Sequence, residues 1–457
     1  MRVVFYEDGG WSNLYPLTLL RPVFELRCGQ FSQRERIVRL LPVTAWAVCM
    51  RPLLEPSFFA RFPEAWTVDE KWCSGGPSLW VNGRWLPDGL GLKQLLTAQP
   101  DELGVIDETI VFFTVQPEEA RVLDLRYPLD VIAALQGRRR ATRAGGRLIH
   151  YPWDLVDANP RWLELDFRLR AATEGRGDHH RLCLPRQIDE ALSADPPTAR
   201  PPGGGLGDVS VMGRSDAVWI DPQAVVEPYV TIDVRSGPVW IDAGACVRSF
   251  TRLQGPCYVG RGTQLFRAEF REASAGPQCR LGGEIEASVI HGYANKYHAG
   301  FLGHAYVCPW VNLGALTTNS DLKNDYSAVR VVLPHGVVDT GMRKVGCFIG
   351  DHTKTGLGSL FNTGATVGVM AMVLPAGRLL PKHIPSFSRV WHGRLDDGLD
   401  LGAALETART VMARRNVVMT PADAQLLRLC HRQTEEHRRR ALQRQRDSER
   451  TAARRAG

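Results

Sequence analysis

Large apolar residues recur at every sixth position through the second half of the chain. Ile220, Val226 and Ile232 keep the spacing, and after a three-residue insertion near 235–237 it resumes at Ile241, Val247, Leu253, Val259 and Leu265. It returns at Ile349, Thr355, Phe361, Val367, Val373 and Leu379. Thirteen of these fourteen positions are large and apolar, against about a third in ordinary composition, so chance does not explain the register. The next position is repeatedly Gly or acidic (Asp221, Glu227, Asp242, Gly260, Gly350), and the fifth is often small or β-branched (Ala224, Val230, Ala245, Thr263, Thr353). A period of six fits short flat strands that each send one aliphatic side chain to a central axis, with tight turns between them. A helix or heptad would drift out of register within two repeats. The pattern predicts a parallel β-helix over 208–390, and the period alone does not set its hand.

The first half reads differently. Apolar runs at 3–6, 46–49, 79–81 and 109–113 suit buried strands, while 34–41, 118–125 and 129–135 suit helices. That alternation predicts an α/β domain with a mostly parallel sheet over 1–200. The Pro- and Gly-rich stretch 199–207 cannot hold regular structure and reads as the linker. Helical character returns over 399–457, where Thr420 is placed to cap a helix with Pro421 in its first turn. The last twenty residues are expected to fray.

Composition narrows this picture. A chain of 457 residues exceeds one ordinary core, so two large domains and an appendage are expected. No apolar run approaches 18 residues, which predicts no membrane span. Glu7 and Asp8 come too early for a signal peptide, which predicts a cytoplasmic protein. The ten cysteines are scattered with no CxxC pair and read as reduced thiols. The formal charge of +7 sits in the tail: from Arg438 onward eight arginines face only Asp447 and Glu449, leaving the rest almost neutral. A solvated tail, with no specific nucleic-acid site, follows.

Candidate chemistry concentrates at 292–304, 312–326 and 349–356. His298, whose residue type titrates near neutrality, lies close to Lys296, Lys323 and the amides of Asn312 and Asn319. Asparagine and glycine are also the turn formers that any β-helix needs. Three-histidine zinc ligation could draw on His291, His298, His304, His335 and His352, but none of these shows a His-x4-His spacing.

Several phrases carry a family resemblance: Pro-Leu-Thr-x-x-Arg-Pro at 16–22, Asn-Lys-x-His-x-Gly-Phe-Leu-Gly at 295–303, Ser-x-Leu-Lys-Asn-x-Tyr at 320–326, Gly-Asp-His-x-Lys at 350–354, Asn-Thr-Gly at 362–364 and Ile-Pro-Ser-Phe at 384–387. The chain resembles a variant branch of the bacterial bifunctional N-acetylglucosamine-1-phosphate uridylyltransferase/glucosamine-1-phosphate acetyltransferases, densely over 280–390 and sparsely before 200. The resemblance implies a Rossmann-like nucleotidyltransferase domain, a left-handed β-helix and a homotrimer that makes nucleotide sugars such as UDP-N-acetylglucosamine for cell-envelope polysaccharide. It implies His298 as general base on an amine attacking acetyl-CoA, with Lys296, Asn312, Asn319 and Lys323 on the amino-sugar phosphate. Ala315, Gly356 and Gly368 would line the coenzyme A groove. Thr18, Arg21 and Arg27 would hold a nucleoside triphosphate with Mg2+, and Asn159 would belong to the metal site. The chain also departs from that family: the glycine-rich loop is reduced to Asp8-Gly9-Gly10-Trp11, and Arg84 stands where a metal-binding Asp is usual. A β-helix acyltransferase with a degenerate nucleotide domain, or a non-catalytic trimeric scaffold, is the alternative.

Overall fold

The computed structural model describes residues 1–174, 181–193, 208–396 and 398–456; the expected linker at 199–207 lies outside them. The N-terminal domain is built on a seven-stranded mixed sheet. Its strand Arg2–Tyr6 runs parallel to Ala45–Cys49 on one side and Ser78–Asn82 on the other, and Thr109–Val115 turns antiparallel beyond. Both faces are covered, so the strands read as continuous apolar runs. The helix foreseen at 118–125 is only Pro117–Ala120.

From 208 the chain winds into a parallel β-helix with three faces. One face is a nine-stranded sheet from Val218–Ile220 to His383–Ile384, whose inward column stacks Ile220, Ile241, Val259, Ala275, Ile290, Val307, Ile349, Val367 and Ile384. The second column runs Val226, Val247, Leu265, Leu281 and then Lys296. The third runs Ile232, Leu253, Phe270, Ile285 and Leu302. The six-residue register therefore holds, with one correction: Leu379 is exposed and Leu380 is buried in its place, since the coil after Val373 carries one extra residue.

On the nine-stranded face the outward positions are also large, including Trp240, Tyr258, Tyr306 and Phe348, all buried. Left bare, that face would be an extended apolar patch. It is covered by residues 14–28 and by the long helix Pro152–Glu174, through clusters that join Leu14, Leu17 and Trp153 to Val289, Tyr306 and Phe348, and Phe167 to Trp240. C-terminal helices Leu401–Ala413 and Pro421–Gln433 close a third cluster on Val369, Met370 and Phe387. Thr420 caps the second of these, with Pro421 at its start. Helix Glu435–Ala456 persists where fraying was expected, tied down by Gln445 on the backbone of Leu395 and by an Arg394–Glu449 pair. Among the described residues no helix is long and apolar enough to cross a membrane.

Candidate functional site

The β-helix coils are not equal in length at one corner. Six residues separate Val247 from Leu253 and Lys296 from Leu302, but five separate Leu265 from Phe270 and four separate Leu281 from Ile285. In the two short coils a single strand runs through the corner, Gln264–Arg271 in one and Arg280–Glu286 in the next. Arg267 and Gly283 make the bend at positive φ, 44° and 71°. The missing residues leave a notch of about 580 Å³ between full-length corners, lined by Glu227, Arg248, Phe250, Phe266, Arg267, Gly283, Tyr297 and His298.

His298 stands exposed on the rim, its ring edge-on to Tyr297 at 4.9 Å, with Tyr297 packed on Phe266 at 4.1 Å. Arg248 is paired with Glu227 at 2.5 Å, and Arg267 reaches the notch without a carboxylate partner among the described residues. The chemistry available is an imidazole beside two guanidinium groups and three aromatic rings, suited to a phosphate-bearing ligand with a proton to surrender.

Lys296 plays a different part from the one its sequence position suggests. Its side chain takes an inward place in the apolar column, and the buried Nζ donates to Gly282 O at 2.7 Å, His298 O at 3.2 Å and Gly300 O at 2.7 Å. Burial pushes its pKa down to about 8. The ammonium thus ties the shortened coil to the turn that carries His298. A Cβ on Gly283 would lie 2.9 Å from that nitrogen, so glycine is required there.

The other expected acceptor residues are not gathered at His298. Asn319 is buried and binds the backbone of Gly303 through both amide atoms. Asn312 accepts from the side chain of Asn295. Lys323 sits in a separate loop beside Asp325 and Ser327. In the proposed coenzyme A set, Gly356 lines an apolar groove of about 370 Å³ with Lys354, Leu374, Trp391 and Leu399. Lys296 and Thr355 are two rungs apart on the same face, about 10 Å. Ala315 is a half-buried corner residue, and Gly368 is needed because any Cβ there would strike Ser386.

The nucleotide set lies inside the protein. Arg21 is buried at the domain interface, where it donates to Leu17 O and forms a two-pronged ion pair with Asp351 of the β-helix. Thr18 donates to Trp11 O at 3.0 Å. Arg27 is held by Gln30 and Glu35, and its backbone N–H donates to the Tyr306 hydroxyl at 2.9 Å. Asn159, proposed for metal, is fully buried; its Oδ1 accepts from Gly29 N at 2.8 Å and Ser274 Oγ at 3.2 Å. Arg21, Arg27 and Asn159 thus make contacts between the two domains, and Thr18 makes one within the first, whereas the sequence expectation had all four facing a ligand. Among the described residues no three His, Cys, Asp or Glu side chains gather as a metal group. Of the histidines, His291 bonds Glu25 O and His304 pairs with Asp321.

Sequence reasoning missed Arg248, Arg267, Phe266 and Tyr297. The signal available was the loss of the six-residue register after Leu265, which marks the shortened corners.

Residues 3–175 match the family model described as sugar nucleotidyl transferase. A curated bifunctional sugar-1-phosphate nucleotidylyltransferase/acetyltransferase from Sulfurisphaera tokodaii is 32% identical over 92 residues, 20% of this chain and 23% of that protein. The match thus spans less than a quarter of that relative's length. A solved structure of a point mutant of AntD, an N-acyltransferase from Bacillus cereus, in complex with dTDP and coenzyme A is 11% identical over 45% of this chain and 91% of that one, with a TM-score of 0.16.

Proposed function

We propose that the protein is a two-domain transferase of sugar-nucleotide metabolism, with a nucleotidyltransferase-type N-terminal domain and a β-helix that moves an acyl group from acetyl-CoA to the amine of an amino-sugar phosphate. The observation that carries the reading is the notch, where His298 stands beside Arg248 and Arg267. The guanidinium groups take the sugar phosphate, Arg267 without a carboxylate partner among the described residues and Arg248 sharing Glu227. His298 takes the proton from the amine as nitrogen attacks the thioester carbonyl; the C–S bond breaks and the coenzyme leaves as thiol. The groove at Gly356 lies along the same face and suits the arm of the acyl donor.

The family match over 3–175 and the bifunctional relative support pairing this chemistry with sugar-1-phosphate nucleotidyl transfer. The notch is open to one side, and exposed Tyr229 and Phe250 stack at 5.8 Å beside it. A homotrimer in which a neighbouring β-helix covers these rings completes the site. Substrates of this kind put the protein in the cytoplasm.

The test is release of free thiol from acetyl-CoA with glucosamine 1-phosphate. His298→Ala is expected to lower the rate about 10²–10⁴-fold with little change in KM. Equal rates in the two proteins dismiss His298. No release across a panel of amino-sugar phosphates dismisses acyl transfer.

A further inference from the structure

The loop after the first strand of the N-terminal domain is closed from within. Asp8 caps the short 3-10 helix Gly9–Leu14 by accepting from Gly10 N at 3.0 Å. Arg84 Nε donates to Asp8 Oδ1 at 2.6 Å and Nη2 to Oδ2 at 2.5 Å, while Asn82 Nδ2 donates to Oδ2 at 2.8 Å. The third nitrogen, Nη1, donates to Ile149 O at 3.1 Å. Asp8 and Arg84 are 9% and 8% exposed. A Cβ at Gly10 would collide with the guanidinium, so glycine lets the loop settle directly on Arg84. On the far side Arg51 pairs with Glu7 at 3.0 Å, donates to Thr18 O and Arg21 O, and lies 3.9 Å from the Trp11 ring.

We propose that Arg84 is a built-in cation that takes the place of a divalent ion at Asp8, so that no metal binds at this end of the sheet. The family resemblance calls for Mg2+ at this end of the sheet, and the residues present do not fit it. Mg2+ needs oxygen ligands in near-octahedral order. Here both oxygens of Asp8 are committed to a bidentate guanidinium, the strongest kind of carboxylate pair, and the adjacent Asn82 amide and Arg84 present nitrogen donors. A metal would have to expel the guanidinium into a buried setting with its charge unmatched. The pair is also neutral as a unit: Arg84 balances Asp8 and leaves no surplus charge for a phosphate. The Asp8–Arg84 pair is independent of any acyl transfer at the β-helix.

Mn2+ titration of the full-length protein, read by electron paramagnetic resonance, tests it. Wild type and Asp8→Asn are expected to give the same binding curve. Arg84→Ala is expected to gain one Mn2+ per chain, and Arg84→Ala/Asp8→Asn to lose it again. A stoichiometric Mn2+ site in wild type that disappears in Asp8→Asn overturns the proposal. So does a folded Arg84→Ala protein, by circular dichroism, that gains no Mn2+. If Arg84→Ala fails to fold, wild type against Asp8→Asn decides, and Arg84→Lys supplies a second comparison because lysine keeps the charge without the bidentate fork.

Discussion

Replacing Arg21 by alanine separates an interdomain tie from a ligand contact. Arg21 is 5% exposed and Asp351 is 2% exposed; the guanidinium is the carboxylate's side-chain partner across the interface between residues 14–28 and the β-helix. Truncation leaves a carboxylate buried beside Cys308 with its charge unmatched and withdraws the bond to Leu17 O. Removing one partner of a buried pair costs about 3–5 kcal/mol, whereas replacing both by apolar residues of similar volume is often neutral. Arg21→Ala is therefore expected to lose about 3–5 kcal/mol, and Arg21→Met/Asp351→Leu to recover most of it, a non-additivity that a double-mutant cycle measures directly. Urea unfolding followed by tryptophan fluorescence is a suitable assay, since Trp153 and Trp240 are buried where the domains meet. If Arg21→Ala stays within about 1 kcal/mol of wild type while losing affinity for nucleoside triphosphates, the side chain serves a ligand and the interface reasoning fails.

Two further outcomes follow from the notch. Arg267→Ala is expected to raise KM for the sugar phosphate about 10–100-fold, the loss of one charge-assisted contact, with kcat changed far less; an unchanged KM removes Arg267 from the phosphate. Lys296, with its pKa lowered from 10.5 to about 8 by burial, holds fewer protons folded than unfolded between those values. Unfolding then takes up a proton, so stability rises with pH from about 8 to 10.5, by about 3 kcal/mol in full. Comparing the pH dependence of urea midpoints for wild type and Lys296→Met isolates this group, and parallel curves would show that the ammonium is not buried as described.

The period-six pattern determined the β-helix by itself, because each coil must send an aliphatic side chain inward at a fixed spacing and no other regular structure repeats that way. The same local logic placed apolar runs at 3–6, 46–49, 79–81 and 109–113, inside the strands observed at Arg2–Tyr6, Ala45–Cys49, Ser78–Asn82 and Thr109–Val115, and the cap at Thr420. His298 was singled out in the sequence by the family resemblance and by its place near Lys296, Lys323 and the amides of Asn312 and Asn319; its exposure on the rim of a notch is a property of the fold. Partnership across hundreds of residues was not legible. Arg21 and Asp351 lie 330 positions apart, and Arg84 and Asp8 lie 76 apart; before folding, each is simply a charged residue near a glycine or proline. Only the tertiary structure decided that these charges neutralise one another inside the protein and that Lys296 points inward. It also converted three missing corner residues, one in one coil and two in the next, into a notch, because a deletion in sequence becomes a cavity only when full-length coils stack on either side of it.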